Sequence, residues 1–219
     1  MRRTRLAYLP VLTVVALSMV GCFESPPPPA EEIMAGAENR LSTVSSLRGD
    51  SEIGGGSCES GSITMRWTDQ PAVSMTFVGM NGGSYTEAES ITYEGTPYSR
   101  ANKNEPWVSV PSPILPPEVD LTAFAQMNSV SEVMKVDLGD SDGYRLVGKA
   151  PGTSVGPLPG TATAPAEVDK TLLVNGDTWN VLRVDSRFST PDGDCRVIWE
   201  FEGFDGIAHM DPPPVAAAP

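Results

Sequence analysis

The sequence predicts an α+β domain in which one large antiparallel sheet is accompanied by two helices. Beyond residue 49, apolar and polar side chains alternate with a period of two, as at Ile63, Met65 and Trp67. This alternation is typical of strands with one buried face. Two shorter segments have the helical period instead. Residue pairs that favour tight hairpin turns separate the strands, namely Asn81-Gly82, Glu94-Gly95, Asp142-Gly143, Asn175-Gly176 and Asp192-Gly193.

Residues 1–21 are predicted to be a lipoprotein signal peptide. Three arginines lie within the first five residues, and residues 6–20 form an apolar run that is shorter than the roughly 20 residues needed to span a bilayer. The stretch Met19-Val20-Gly21-Cys22 resembles the lipobox of bacterial lipoproteins, in which the chain is cut before the cysteine and the thiol carries a diacylglycerol. The alternative is an ordinary secreted protein with a chance cysteine. In either case the domain is expected on the outer side of the cell membrane.

The predicted mature chain is strongly acidic. The sequence has 15 Lys and Arg against 28 Asp and Glu, and loss of the three leader arginines takes the net charge from −13 to about −16. Such a charge argues against nucleic-acid binding and against electrostatic adsorption to anionic lipid headgroups. Residence at the membrane is therefore expected to depend on the diacylated Cys22, because a single acyl chain binds only marginally.

The domain proper is predicted to cover residues 31–211 and to open with an amphipathic helix over residues 31–47. Residues 22–30 are predicted to be the lipidated cysteine and a stalk, whose proline run from Pro26 to Pro29 favours an extended polyproline II conformation. Gly36 lies inside the helix and is expected to cost it about 1 kcal/mol relative to alanine. The apolar side of this helix consists of Ile33, Ala37, Leu41, Val44 and Leu47.

The strands follow the alternating segments, and a second helix interrupts them. This helix is predicted over residues 121–130, with Asp120 as its N-cap. Residues 152–165 form a loop too long for a simple connector, for which disorder is favoured over a functional lid. Residues 212–219 are predicted to be a disordered tail. Strands are predicted over residues 62–68, 73–77, 84–94, 96–101, 107–110, 133–138, 144–149, 171–174, 179–188 and 195–204.

Two cysteines remain after Cys22, and both lie beside predicted hairpin turns. In an exported domain a leftover pair suggests a disulfide, here between Cys58 and Cys195. Two separate buried thiols are the alternative.

Catalytic and metal-binding interpretations find little support in the sequence. Residues 139–143 match the G-x-S-x-G spelling of a hydrolase nucleophile elbow around Ser141, and His209 is the single histidine. The elbow requires a helix after the serine, whereas the residues from Tyr144 onward read as a strand, so a hairpin turn is predicted. The chain has no Cys/His cluster of the kind that binds zinc, and neither a metal nor a cofactor is expected.

The order of elements resembles a known group of lipoproteins. The stretches that carry the resemblance are the hairpin ITYEGTPY at residues 91–98, the EPW approach to a strand at residues 105–107, and the ending FEGFDGIAHMDPP at residues 201–213. With the lipobox and the opening helix, they are similar to the actinobacterial LppX/LprG group, whose fold resembles that of the lipoprotein carrier LolA. The resemblance implies a strongly curved antiparallel sheet, an unclosed barrel wrapped around one long and one short helix.

The same resemblance implies a function in binding or carrying lipids, with no covalent chemistry. Members of the group hold acyl chains of lipids or glycolipids on the concave side of the sheet, and a protein partner in export or in the envelope is possible. Met65, Met75, Met80, Met127 and Met134 are flexible side chains that suit such a surface. The alternative is a scaffold lipoprotein with a filled core, whose acidic surface docks a basic partner. The residues expected to line the lipid cavity are Leu41, Val44, Ile63, Met65, Trp67, Val73, Met75, Phe77, Tyr93 and Phe124.

Overall fold

The computed structural model describes residues 25–55, 58, 60–69, 72–81, 84–109, 118–158, 165–190 and 193–214. The predicted signal peptide and Cys22 lie outside these ranges. Within them, no helix is both long and apolar enough to cross a bilayer. The strands are β1 (Ser46–Gly54), β2 (Gly61–Thr68), β3 (Ala72–Asn81), β4 (Ser84–Tyr93), β5 (Thr96–Arg100), β6 (Val108–Ser109), β7 (Ser129–Asp137), β8 (Asp142–Pro151), β9 (Glu167–Asn175), β10 (Val181–Thr190) and β11 (Gly193–Glu202).

All eleven strands belong to one antiparallel sheet in the order β6-β5-β4-β3-β2-β1-β11-β10-β9-β8-β7. We call β1 to β6 the first arm and β7 to β11 the second arm. Each arm is a meander of consecutive strands, and the two arms join where β1 pairs with β11, with Gly49 opposite Phe201 and Ser51 opposite Trp199. The outer strands β6 and β7 are at opposite ends of this order, so the sheet is unclosed.

Helix α1 (Ala30–Thr43) opens the domain, as predicted, but it ends four residues earlier than expected. Its N-cap Pro29 has φ −54° and ψ 146°, the polyproline II values predicted for the stalk. Val44 is extended and caps the helix, and Leu47 belongs to β1. The apolar spacing continued past the helix, but β2 and β11 hydrogen-bond β1 on both sides, and this pairing replaces the helical hydrogen bonds.

Gly36 has a packing role that its helix propensity does not suggest. A Cβ at this position would lie 2.7 Å from the ring of Trp179, so glycine lets the indole approach α1 this closely. Trp179 has a left-handed φ of 60°, and its ring stacks on Tyr144 with the centroids 6.2 Å apart. Gly36 thus fixes the distance between α1 and the turn from β9 to β10.

The second predicted helix is much shorter than residues 121–130. The structure has a 3-10 helix over Leu121–Ala125, which we call the first 3-10 helix, and β7 begins at Ser129. Asp120 caps it as predicted, since its Oδ1 accepts from the Thr122 N–H at 3.0 Å. The segment after it extends because β7 pairs with β8 over most of its length, with Val130 opposite Gly148.

The predicted loop over residues 152–165 begins with ordered structure. A second 3-10 helix covers Gly152–Val155, and both Ser154 and Val155 are fully buried. Gly156 has φ +88°, and a Cβ there would lie 2.6 Å from the Phe124 ring. The expected disorder is therefore wrong for residues 152–158, while residues 159–164 lie outside the described ranges.

The C-terminal motif closes the domain against the end of α1. The Asp205 carboxylate accepts from the backbone N–H of Ser45 at 2.7 Å and from its hydroxyl at 3.0 Å, and it also binds Arg40. The hydrogen bond from the Ser45 N–H, helped by Arg40, lowers the pKa of Asp205. Order continues past residue 211, since Pro213 is buried, and residues 215–219 of the predicted tail lie outside the described ranges.

The structure contains the predicted disulfide between Cys58 and Cys195, with the Cα atoms 5.3 Å apart and a sequence separation of 137. Cys58 follows β1 and Cys195 lies in β11, so the bond crosses the junction between the two arms. A loop of this length is in the range where the chain-entropy estimate reaches about 5 kcal/mol.

Candidate functional site: the apolar face of the sheet

One face of the sheet is apolar along both arms, and we call it the inner face. Ile63 pairs with Phe77 and Met65 pairs with Met75 across β2 and β3, and all four side chains are at most 1% exposed. In the second arm, Leu146, Leu172 and Val184 continue the same face, and each is fully buried. The α1 side chains Ile33, Ala37 and Leu41 belong to the same apolar cluster, so α1 packs on the inner face.

Most of the residues predicted to line a lipid cavity meet on the inner face. Trp67 is half-buried against the cluster. The others form part of the buried core, and they are Leu41, Val44, Ile63, Met65, Val73, Met75, Phe77 and Phe124.

Tyr93 lies on the other side of the sheet. In β4 the inner positions are those opposite Met75 and Phe77, which are Ser90 and Ala88. Side chains alternate along a strand, so Tyr93 shares the outer face with Glu89. The methionines are likewise divided, because Met80 and Met134 alternate with inner positions on β3 and β7 and therefore lie on the outer face. The predicted methionine set is not one continuous surface.

An aromatic cluster covers the inner face on β11, where the second arm joins the first. Phe124 from the first 3-10 helix packs edge-on against Trp199 and Phe201, with centroid distances of 5.6 and 4.8 Å. The Trp199 Nε1–H donates to the Val155 carbonyl oxygen at 3.0 Å. Both 3-10 helices are thus tied to the sheet through this cluster.

Lys170 is a lysine buried on the inner face of β9, and the sequence analysis missed it. Its side chain is 2% exposed, and its Nζ donates to the carbonyl oxygens of Phe124 at 2.7 Å and Gln126 at 3.0 Å. Burial away from water lowers the pKa of Lys170 to about 7. The signal was present in the sequence, since Lys170 falls in the same alternating phase as the buried Val168 and Leu172.

The second half of the chain also contains two buried serines. Ser186 is its direct cross-strand partner on β10, and Ser154 lies in the second 3-10 helix, which packs on β8 and β9. Both residues are fully buried. Neither hydroxyl has a hydrogen-bond partner among the described residues, which is unusual because buried polar groups are nearly always paired.

The outer face is polar and carries ion pairs. Lys149 on β8 pairs with Asp169 at 2.6 Å, and Arg183 pairs with Glu200 at 2.8 Å. A groove of about 640 Å³ near Cys195 is bordered by charged residues of both signs, including Lys149. Within the described ranges, no group of three or more His, Cys, Asp or Glu residues is arranged to hold a metal ion.

The hydrolase-like spelling around Ser141 is a hairpin turn, as predicted. The Leu138 N–H donates to the Ser141 carbonyl oxygen at 3.0 Å, and β8 begins at the next residue. The Ser141 hydroxyl accepts from the Asn175 side-chain amide at 2.9 Å. His209 is exposed in the C-terminal segment.

Comparisons with known proteins add evidence on the fold. No protein-family model and no curated sequence matches the chain. The crystal structure of LprF from Mycobacterium bovis matches 88% of this chain and 100% of its own, with a TM-score of 0.59 and 14% identity. That of the Mycobacterium tuberculosis lipoprotein LppX matches 85% of this chain and 100% of its own, with a TM-score of 0.53 and 9% identity. The chain has the LppX/LprG-type fold. At these identities the likeness concerns the fold alone, which agrees with the fold predicted from the short sequence motifs.

Proposed function

We propose that this protein is a membrane-anchored lipoprotein that binds or carries lipid acyl chains on the inner face, with no covalent chemistry. The observation that carries the proposal is the extent of that face, which is apolar across both arms while the described residues include a single α-helix, α1. The LppX/LprG-type fold supports the same function.

The size of the sheet supports a concave shape. Eleven strands about 4.8 Å apart give a sheet about 48 Å wide, whereas an α-helix with its side chains is about 10–12 Å across. A flat sheet would leave most of the inner face beyond the reach of α1. We therefore infer that the sheet curls around α1 and the first 3-10 helix, in the manner of an unclosed barrel.

An acyl chain gains enough from burial to bind such a surface. At about 0.8 kcal/mol per methylene, a chain of some sixteen carbons gains about 12 kcal/mol. The cost of association starts at about 4 kcal/mol, so a net gain remains where the surface is already ordered before the chain binds. Since Met75 and Phe77 are already buried, a bound chain reaches them only when a covering segment moves away.

The anchor belongs to the same proposal. A diacylglycerol on Cys22 would hold the protein on the outer side of the cell membrane, with the stalk of residues 22–30 between the lipid and α1. Cys22→Ala is expected to abolish incorporation of an alkyne-labelled palmitate and to release the protein from the membrane fraction. If Cys22→Ala incorporates no palmitate but stays in the membrane fraction, the proposed anchor is contradicted.

A scaffold with a filled core is the second candidate, and the complete burial of Ile63, Met65, Met75 and Phe77 favours it. In that case the acidic surface would dock a basic envelope protein.

Native mass spectrometry with solvent extraction separates the two candidates. The mature chain would carry Cys22→Ser and be exported by an actinobacterial host behind an ordinary leader. The carrier predicts stoichiometric acyl lipid, which Met75→Trp reduces. Because Met75 is buried, a lower melting temperature of this variant is also expected. Val78→Trp is the matched control, because its side chain lies on the outer face of the same strand. A protein that carries no lipid and takes up no hydrophobic dye would overturn the carrier function.

A further inference from the structure

Lys170 is in an environment that an ammonium group does not ordinarily occupy. Its charge sits on the inner face between apolar neighbours, with two carbonyl oxygens as partners, and no carboxylate among the described residues forms an ion pair with it. Transfer of a charge into such surroundings is costly unless it is paired. If Lys170 only held the first 3-10 helix in place, a neutral hydrogen-bond donor would serve with a far smaller desolvation penalty.

The surrounding polar groups are arranged to donate to an anion. An ammonium group has three N–H donors, and two of them bind Phe124 and Gln126. Ser186 lies directly across the strand pair, where Cβ atoms are about 4.5–5.5 Å apart. Its hydroxyl has no partner among the described residues, so it is free to donate to an incoming oxyanion.

Both partners of Lys170 are replaceable. They are backbone carbonyls of the first 3-10 helix and of the residue that caps it, and this segment lies on the sheet without being part of it. An anionic oxygen would form shorter and stronger charge-assisted hydrogen bonds with the ammonium group than a carbonyl does. A ligand that displaced the Phe124 and Gln126 carbonyls would therefore form stronger hydrogen bonds with Lys170 than those it breaks. These new bonds would offset the cost of moving the first 3-10 helix away from the sheet.

We propose that Lys170, with Ser186, is an internal headgroup site that binds the carboxylate or phosphate of an anionic acyl lipid. The inference rests on the proposed lipid-binding function and names its ligand class. The acyl chain would leave the site along the inner face, past Leu172 and Val184, which occupy the next inner positions on β9 and β10. Neutral lipids would lack the contact with Lys170.

The test compares a fluorescent fatty acid with its methyl ester. Delipidated mature chain carrying Cys22→Ser would be titrated with cis-parinaric acid and with methyl parinarate, whose chains are identical. We expect the acid to bind at least tenfold more tightly. Lys170→Met is expected to weaken acid binding at least tenfold and to leave ester binding unchanged.

The matched control is Lys149→Met, which removes the same charge from the outer face of the neighbouring strand, where Lys149 pairs with Asp169. It is expected to bind both probes like the unmodified protein. If Lys170→Met does not fold by circular dichroism, Ser186→Ala serves instead, with an expected threefold or greater loss of acid binding. Displacement of the bound acid by palmitate or by lysophosphatidic acid then identifies the source of the anion.

The outcomes separate this inference from the function on which it rests. Equal binding of acid and ester, or acid binding that neither Lys170→Met nor Ser186→Ala weakens, would overturn the headgroup site and leave lipid binding intact. If neither probe binds the unmodified protein, the proposed lipid-binding function itself fails.

Discussion

The two arms of the sheet use their inner faces differently. In the first arm the inner positions of β2 and β3 hold flexible or apolar groups such as Met65, Met75 and Phe77. In the second arm the 3-10 helices pack on β8, β9 and β10, and the face includes Lys170 and Ser186. The first arm therefore has flexible apolar side chains on its inner face, while the second combines apolar side chains with fixed polar groups beneath the 3-10 helices.

The largest expected effect is the loss of the Trp199 side chain. Trp199→Ala removes the ring that contacts both Phe124 and Phe201, and we expect a loss of about 3–5 kcal/mol in unfolding free energy. Phe77→Ala in the first arm is expected to cost less, because Met65 and Met75 can collapse into the space. Urea denaturation of both variants measures the difference, and equal losses would mean that the arms are equally rigid.

The disulfide tests how strongly the arms depend on each other. Replacing both Cys58 and Cys195 with serine is expected to lower the unfolding free energy by about 2–5 kcal/mol. The melting temperature of the double variant, compared with that of the unmodified protein, gives the effect. A single cooperative transition is expected in both, and separate melting of two parts would show that the bond alone joins the arms.

Lys170 is expected to make the stability of the second arm depend on pH. Its folded pKa of about 7 lies below the ordinary value of 10.5, so the unfolded chain binds more protons between these values and the unfolding free energy rises with pH. From pH 6.5 to 8.5 the gain is about 2 kcal/mol. It should vanish in Lys170→Met and persist in Lys149→Met. An unchanged slope in Lys170→Met would contradict the assignment.

A smaller effect is expected where α1 meets the second arm. Gly36→Ala improves helix propensity by about 1 kcal/mol, but the new methyl group would lie 2.7 Å from the Trp179 ring. Overpacking of this kind costs about 1–3 kcal/mol, so a net loss of up to about 2 kcal/mol is expected. Gly36→Ala combined with Trp179→Ala should regain the helical benefit, and a stabilised single variant would show that α1 can shift.

The sequence predicted the strands well wherever one phase of the alternation was apolar. The alternation at Ile63, Met65 and Trp67 predicted the start of β2 to within one residue. The two cysteines that remain after Cys22 indicated the disulfide. Where neither phase was apolar, the face could not be assigned. In β4 both Tyr93 and Thr92 could have faced inward, and only pairing with β3 decides between them.

Tertiary contacts decided the remaining differences. Val44 and Leu47 fit the period of α1, but pairing on both sides of β1 ended the helix. The segment after Ala125 could continue a helix or extend, and β8 selected the strand. Lysine is rarely buried, so a lysine gives little reason to expect a core position. Lys170 nevertheless falls in the same phase on β9 as the buried Val168 and Leu172.

The pairing of β1 with β11 gives this chain an unusual order of assembly. The middle of the sheet is built from the first and last strands. When the chain is synthesised from its N-terminus, one edge of β1 therefore stays unpaired until β11 has been made. Unpaired strand edges and exposed apolar faces promote aggregation during folding. Contacts of such long range also slow folding. The domain therefore has no complete core until its last strand is available, and a premature stop anywhere before β11 leaves β1 with one edge unpaired.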